Sequence, residues 1–362
     1  MGEKNAKTNG VRANAILQPN NPILLLIIGV AIIGGIFFFQ GLRADNGGGE
    51  VQAIKVDKSG FQIAPELQSI EGYINVDESL TLESLKGKVV LLDFWTYSCI
   101  NCIRTLPYLN DWYEKYADKG FVIVGVHAPE FEFEKDYINV KEAVEKYGVK
   151  FPVVQDNGFS TWRAYNNHYW PHKFLIDADG YIRYDHIGEG SYEETEAKIV
   201  ELLNEKDSGE NISVEDSAIK QDTDFSGIGT PEIYLGAKFA RAPLGNAEGF
   251  ALESPIEYSI PQDLQSNIVY LEGTWKTEDD FSRLVSDTGK VALVYKAKNV
   301  NIVAASPTSS KLNVFVDGAN LGMIDVKEED LYTLVSGKDY EPRALIFDVT
   351  GKGFELYTFT FG

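Results

Sequence analysis

The stretch LLDFWTYSCINCIRTLPYL, Leu91 to Leu109, decides how the rest of the chain is read. It opens in an apolar run, Lys88 to Phe94, of the kind that forms a strand buried on both faces. It then passes through Cys99-Ile100-Asn101-Cys102 into a segment, Arg104 to Tyr116, whose aromatic and aliphatic residues recur at helical spacing. A Cys-x-x-Cys placed between a buried strand and a helix start puts the first sulfur where unpaired N–H groups and the positive end of the helix dipole favour a thiolate. Cys99 is therefore expected to attack a substrate disulfide. Cys102, one turn further on and less exposed, is expected to resolve the mixed disulfide by closing the Cys99–Cys102 bond. These are the only cysteines in 362 residues. A structural zinc needs four ligands, so the pair does not read as half of a metal site. No metal or cofactor is expected beyond this redox-active disulfide.

Three further residues belong with the pair. Asp93 lies within an apolar strand, where a carboxylate is costly unless it has a role, and a raised pKa lets it pass protons to and from Cys102. Pro107 falls inside the helix and is expected to kink it. Pro171, in Tyr169-Trp170-Pro171-His172, is a candidate for a cis bond beside the dithiol, with Trp170 offering its backbone to a bound peptide. Trp95, Ile100, Asn101 and His172 complete the expected substrate-binding set. His168 and His172 are spaced as on one helix face, but Pro171 between them spoils a helix and with it a zinc site.

Around this centre the first unit alternates strands and helices. Phe121 to His127 reads as a second buried strand and Phe131 to Tyr147 as an amphipathic helix. Phe174 to Asp177 and Tyr181 to Ile187 read as a hairpin across Asp179-Gly180. Ser191 and Glu194 form a capping-box pattern opening a last helix to about Leu203. The expected domain is α/β, a mixed central sheet flanked by helices, over residues 61–204. Residues 205–229 are polar and acidic and read as a linker. Residues 230–362 show strand-like runs at Val291–Tyr295, Val300–Ala304, Leu312–Val316, Arg343–Val349 and Phe354–Phe361. An all-β sandwich or jelly-roll is expected there.

The N-terminus carries an address. Ile23 to Phe39 is ILLLIIGVAIIGGIFFF, seventeen apolar residues without a charge, preceded by Lys4, Lys7 and Arg12. This reads as one transmembrane helix over 23–39, after a tail of residues 1–22 and before a glycine-containing tether over 40–60. The expected location is the cell membrane, single-pass, with the folded domains extracytoplasmic; a cleaved segment would make the protein secreted. Thirty-three basic against 54 acidic residues give a net charge of −21, which excludes nucleic acid as a partner.

The strings FWTYSCINCIRTLPYL, GVHAPEFEFEKD, WRAYNNHYWPHKFLIDADG and IGEGSYEETEA resemble the thioredoxin superfamily, and within it the TlpA/ResA-like redoxins and the thioredoxin-like part of the DipZ family. Asp93, Phe94, Trp95, the Cys-x-x-Cys, Pro107 and Pro171 fall where thioredoxins carry theirs. The likeness continues from Thr230-Pro-Glu-Ile-Tyr-Leu-Gly236 to the final Tyr357-Thr-Phe-Thr-Phe-Gly362, where DipZ-type proteins carry a domain similar to a carbohydrate-binding module. The resemblance implies a thioredoxin fold followed by that β domain, and a thiol–disulfide oxidoreductase acting on protein thiols and disulfides, apocytochromes among them. It also implies a separate membrane electron donor or acceptor, because DipZ reductases precede the redox domain with a multi-helix electron carrier and one span is read here. The β domain is expected to bind a glycan or a docking partner, with Trp275, Tyr270, Tyr332 and Tyr340 as candidate stacking rings. The neutral Ile100-Asn101 dipeptide leaves the reduced form little stabilised and favours the reductase or isomerase direction. Two other readings compete. A thiol peroxidase of the same fold would use Thr96, although Leu92 stands where its motif has proline. A surface glycan-binding or adhesion protein would keep the redox domain as a vestige.

Overall fold

The computed structural model describes residues 57–206, 211–214, 217, 219 and 224–362. Residues 57–362 form one compact unit. The expected tail over 1–22, the anchor over 23–39 and most of the tether lie outside the described residues. Among the described residues no helix is long and apolar enough to cross a membrane.

The first module is a six-stranded mixed sheet between helices. In chain order its elements are β1 (Gly72–Ile74), β2 (Val89–Trp95), α1 (Ile100–Tyr116), β3 (Phe121–His127), α2 (Tyr137–Lys146), β4 (Val153–Gln155), α3 (Ser160–Ala164), β5 (His172–Ile176), β6 (Ile182–Ile187) and α4 (Tyr192–Lys206). The sheet order is β1-β4-β3-β2-β5-β6. β2, β3 and β4 are parallel, and β5 runs antiparallel to β2. All seven residues of β2 are buried, because the strand has a neighbour on either side and a packed layer on each face. One layer gathers Leu91, Trp95, Cys102, Leu106, Leu109 and Trp112 under α1. The other gathers Val90, Leu92, Phe94, Trp162, Tyr165 and Phe174. Pro107 lies inside α1.

Two local expectations are corrected. The single helix read over Phe131–Tyr147 is a short 3-10 turn, Glu132–Lys135, followed by α2, because the Asp136 side chain caps the second helix by accepting from Ile138 N at 2.7 Å. The Ser191/Glu194 pattern does not open α4 as a capping box. Ser191 has φ 46°, outside the extended range of a capping residue, and its carbonyl accepts from Thr195 N and Oγ1.

The second module is all β: β7 (Ile233–Tyr234), β8 (Ile256–Tyr258), β9 (Val269–Thr277), β10 (Ser282–Leu284), β11 (Thr288–Lys296), β12 (Asn299–Ala305), β13 (Ser310–Val316), β14 (Ala319–Val326), β15 (Asp330–Ser336), β16 (Pro342–Thr350) and β17 (Glu355–Phe361). These pair as one 11-stranded sheet folded over on itself, with the path β14-β13-β16-β11-β9-β10-β17-β12-β15. The corner is β9. Its first half pairs with β11 and its second with β8 and β10, and between them Gly273 takes φ 97°, with room for no Cβ beside Thr288 O. The two halves enclose a core containing Leu271, Trp275, Leu293, Ile302, Phe347 and Phe359. Trp275 and Tyr270 are buried, and the Trp275 indole donates to Glu272 O at 2.9 Å. Neither ring is presented for stacking on a sugar.

The modules meet along an aromatic seam. Phe131, from the loop after β3, packs edge-on against Tyr357 of β17 at 5.1 Å between ring centres and against Phe239 at 6.0 Å. Phe133 meets Tyr357 at 5.1 Å. Glu132 N donates to Asp280 Oδ2 at 2.9 Å, and Lys146 pairs with Asp330 at 2.5 Å. Truncating the buried Phe131 to alanine is expected to cost about 3–5 kcal/mol. Urea unfolding checks this: Phe131→Ala should lower the midpoint and resolve two transitions where the parent chain shows one.

Candidate active site

Cys99 is the residue immediately before α1, with φ −76° and ψ 111°, and its Sγ accepts from Cys102 N at 3.4 Å. Both sulfurs are thiols; Cys99 is half-buried and Cys102 is buried. The helix N-terminus thus points at Cys99 as the sequence suggests, yet it does not win. The Cys99 thiol lies above its ordinary value, first because of burial and then because the Glu232 and Glu130 carboxylates face it; the contacts to Cys102 work in the opposite direction. Burial pushes Cys102 well up, and the sulfur of Cys99 and the carboxyl of Asp93 add to it.

Asp93 is 1% exposed and one of its carboxyl oxygens has no hydrogen-bond partner. Burial raises its pKa to about 7, against the opposing pull of Lys173. Lys173 stands directly opposite Asp93 in the β2–β5 register, is 0% exposed and donates from Nζ to Gly188 O at 2.9 Å. Burial lowers the Lys173 pKa, while Asp93 and Cys102 hold it up. A carboxyl that titrates near neutrality and is electrostatically coupled to Cys102 suits proton transfer at that sulfur. Lys173 was not legible as a site residue. Its only signal is a lysine leading into the apolar run FLI of a fully buried strand, HKFLI.

The remaining expected residues separate into two groups. The Trp170–Pro171 bond is cis, and Pro171 O accepts from Gly188 N at 2.8 Å. Trp170 is half-buried, donates from its indole to Ala128 O at 3.0 Å, and packs on the edge of the same core as Cys99. Ile100 and Asn101 begin α1 and are half-buried, and Asn101 Nδ2 reaches Glu232 Oε1 at 3.5 Å. Trp95 and His172 do not reach this surface. Trp95 is fully buried, edge-on to His127 at 5.4 Å. His172 alternates to the opposite face of the sheet, where its ring nitrogens meet Asn167 Oδ1 at 2.8 Å and Asp185 Oδ2 at 3.0 Å. Thr96, the residue a peroxidase would need, is buried with its hydroxyl 3.3 Å from His127 Nε2. Burial drives the His127 pKa down to about 3, so this ring is neutral.

Glu134 is the other residue the sequence reading missed. Fully buried, it accepts from Ser98 Oγ at 2.7 Å, Ser98 N at 3.3 Å, Glu130 N at 2.6 Å and Phe131 N at 3.0 Å. It therefore joins the residue before Cys99 to the loop that carries Glu130. That loop faces the second module, whose Tyr234 hydroxyl lies 2.7 Å from Glu130 Oε1 and 3.2 Å from Glu232 Oε2. Among the described residues no group of three or more His, Cys, Asp and Glu is placed to hold a metal.

Asp93 must be ionised to accept a proton from Cys102, so resolution of a mixed disulfide at Cys99 should accelerate as pH rises through about 7. Asp93→Asn is expected to remove that limb and slow the step about 100-fold. Rapid-mixing decay of a preformed mixed disulfide, followed from pH 5 to 9, reads both effects; an unchanged profile would exclude the role.

The family described as Redoxin matches residues 64–203, and the family described as Thioredoxin like C-terminal domain matches residues 230–362. The chain is 34% identical over 304 residues to Protein DipZ of Mycobacterium tuberculosis, covering 83% of this chain and 43% of that protein, so it spans less than half of that relative's length. It is 34% identical over 180 residues to the thiol-disulfide oxidoreductase ResA of Bacillus anthracis, covering 50% of this chain and 93% of that protein. Among solved structures, a thiol-disulfide isomerase from Corynebacterium glutamicum matches at 26% identity with a TM-score of 0.36, over 39% of this chain and 96% of that one. With the dithiol at the head of α1, the mixed sheet and the cis-proline loop already placed, the chain belongs to the thioredoxin superfamily, as a ResA-like redoxin joined to a DipZ-type C-terminal domain.

Proposed function

We propose that the protein is a membrane-anchored, extracytoplasmic thiol–disulfide oxidoreductase that exchanges disulfides with protein substrates and works in the reductase or isomerase direction. The observation that carries the reading is the half-buried Cys99 at the start of α1, within hydrogen-bonding reach of the backbone of a buried Cys102 that is coupled to Asp93. Cys99 as thiolate attacks one sulfur of a substrate disulfide. That S–S bond breaks, a Cys99–substrate disulfide forms, and the other substrate sulfur leaves as a thiolate that takes a proton from water. Asp93 accepts the proton of Cys102. Cys102 then attacks Cys99, closing the intramolecular disulfide and releasing the second substrate thiol. The substrate is reduced by two electrons and the enzyme dithiol is oxidised, so a separate membrane donor must re-reduce it. Trp170 and Pro171, together with Ile100 and Asn101, hold the substrate backbone during the exchange.

The thiols support this direction. Neither sulfur is stabilised as a thiolate, so the reduced form gives up electrons readily. The similarity to relatives named as thiol-disulfide oxidoreductases supports protein disulfides as substrates. The C-terminal domain serves as a docking element that carries a partner to the dithiol.

Cysteine trapping tests the reading. With insulin as substrate and dithiothreitol as electron source, the parent chain should accelerate reduction and Cys99→Ser should abolish that acceleration. Cys102→Ser, reduced and then freed of dithiothreitol, should accumulate an adduct with insulin that added dithiothreitol releases. Equal activity in all three chains would overturn the assignment.

A further inference from the structure

The carboxylates facing Cys99 come from both modules. Glu130 follows β3 in the redox module. Glu232, in the strand entry Thr230-Pro231-Glu232, comes from the second. Tyr234 of β7 stands between them, its hydroxyl 2.7 Å from Glu130 Oε1 and 3.2 Å from Glu232 Oε2. A phenol has one hydrogen to donate. It can serve one of those oxygens, and the other contact is a hydrogen bond only when that carboxyl itself carries a proton. The geometry is that of a carboxyl–phenol–carboxylate chain able to hold one proton between two acids. Glu232 also lies 3.5 Å from Asn101 Nδ2, inside the Cys-x-x-Cys motif. It sits in the wall of a cleft of about 640 Å³ that Asn101, Arg104 and Gly188 line from the redox side and Pro231 and Phe361 line from the other.

We propose that Glu232 of the second domain, acting with Tyr234 and Glu130, is a positioning residue of the redox site: the pair shares a proton and thereby controls how readily Cys99 becomes a thiolate. The proposal rests on the oxidoreductase reading above and extends it, because the reactive couple is then assembled from both domains.

The charged surroundings agree. Burial comes first in raising Glu130, to about 8, with Glu232 and Glu134 adding to the rise while Tyr234 and Arg241 oppose it. Glu232 is an exposed residue, yet burial around its carboxyl comes first in raising it; Tyr234, Arg241 and Arg104 pull it down and Glu189 pushes it up. Arg104 is largely engaged with Glu189, at 2.9 and 2.5 Å. On the other side of the dithiol the titratable neighbours of Cys102 are Asp93 and Lys173. While the pair keeps its proton it presents one negative charge to Cys99. As pH rises through about 8 it loses that proton and presents two, so thiolate formation is opposed most where it would otherwise be complete. The Cys99 titration is expected to be shallow for this reason.

The test is the pH profile of Cys99 alkylation by iodoacetamide, in full chains carrying Cys102→Ser so that one thiol reports. Glu232→Gln keeps the side chain's shape and its contacts to Tyr234 and Asn101 but removes the charge. It should lower and steepen the profile and speed alkylation above pH 8, where the parent pair presents two charges and the variant one, by about three- to tenfold, the size expected for one nearby partly screened charge. Glu130→Gln should act in the same direction. Asp330→Asn, which removes the seam's ion pair to Lys146, should leave the profile in place. An unchanged profile in both glutamine variants, or an equal shift in Asp330→Asn, would overturn the proposal and reduce Glu232 to a seam contact. Alkylation and trapping fail separately: a profile that moves with Glu232 in a chain that traps no substrate would support the inference and remove the function it extends.

Discussion

Glu134 holds the site together. A fully buried carboxylate is tolerated only when its lone pairs are filled. Here four donors, the Ser98 hydroxyl and amide and the Glu130 and Phe131 amides, fill them. Those contacts clamp the turn before Cys99 to the loop after β3. The same loop supplies Phe131 and Phe133 to the seam with the second module, and Glu130 to the Tyr234 hydroxyl. The dithiol, the carboxylates that face it and the docking of the β domain are thus one mechanical unit. Removing any donor would leave a buried charge short of partners, a loss of roughly 1–3 kcal/mol.

At Cys99 two influences oppose each other, and their balance decides the chemistry. The start of α1 and the Cys102 amide favour a thiolate. Burial and two facing carboxylates oppose it, and they prevail. A dithiol whose reduced form is held as neutral thiols suits the reductase or isomerase direction proposed above. Asp93 and Lys173 form a second balance beneath it. Each buried group moves the other toward its charged form while burial moves both toward neutrality, leaving a carboxyl near pH 7 beside a sulfur that must lose a proton.

What the sequence made legible was whatever rests on local pattern. Near-continuous apolar runs identify β2 and β3, the strand-to-helix position of Cys99 and Cys102 identifies the dithiol, and a proline after Trp170 marks the cis bond. Asp93 stood out because one carboxylate interrupts an apolar strand. Contacts across the fold left no such trace. Lys173 matters because β5 sets it opposite Asp93, and Glu134 because its loop curls back on Ser98; one sequence cannot show either register. Trp95 and His172 were misplaced because nearness along the chain gives neither depth nor side of the sheet: Trp95 shares the dithiol's layer but is fully buried, and His172 points to the other face. The β domain was legible as strands, but β8 and β10 are three residues long and β14 is an exposed edge without alternation. Gly273, where β9 turns the corner, is one glycine among 33.

The proposed chemistry needs a dithiol poised to donate electrons, and the reduction potential of the Cys99–Cys102 couple measures that most directly. Equilibration of the full chain in dithiothreitol and glutathione buffers at pH 7, with the thiols counted by alkylation, would give it. The account predicts a value at or below the roughly −270 mV of thioredoxin. A value near the about −120 mV of a strong disulfide-forming oxidant would contradict it, because the reduced form would then be stabilised by a thiolate that burial and the Glu130–Glu232 pair should prevent.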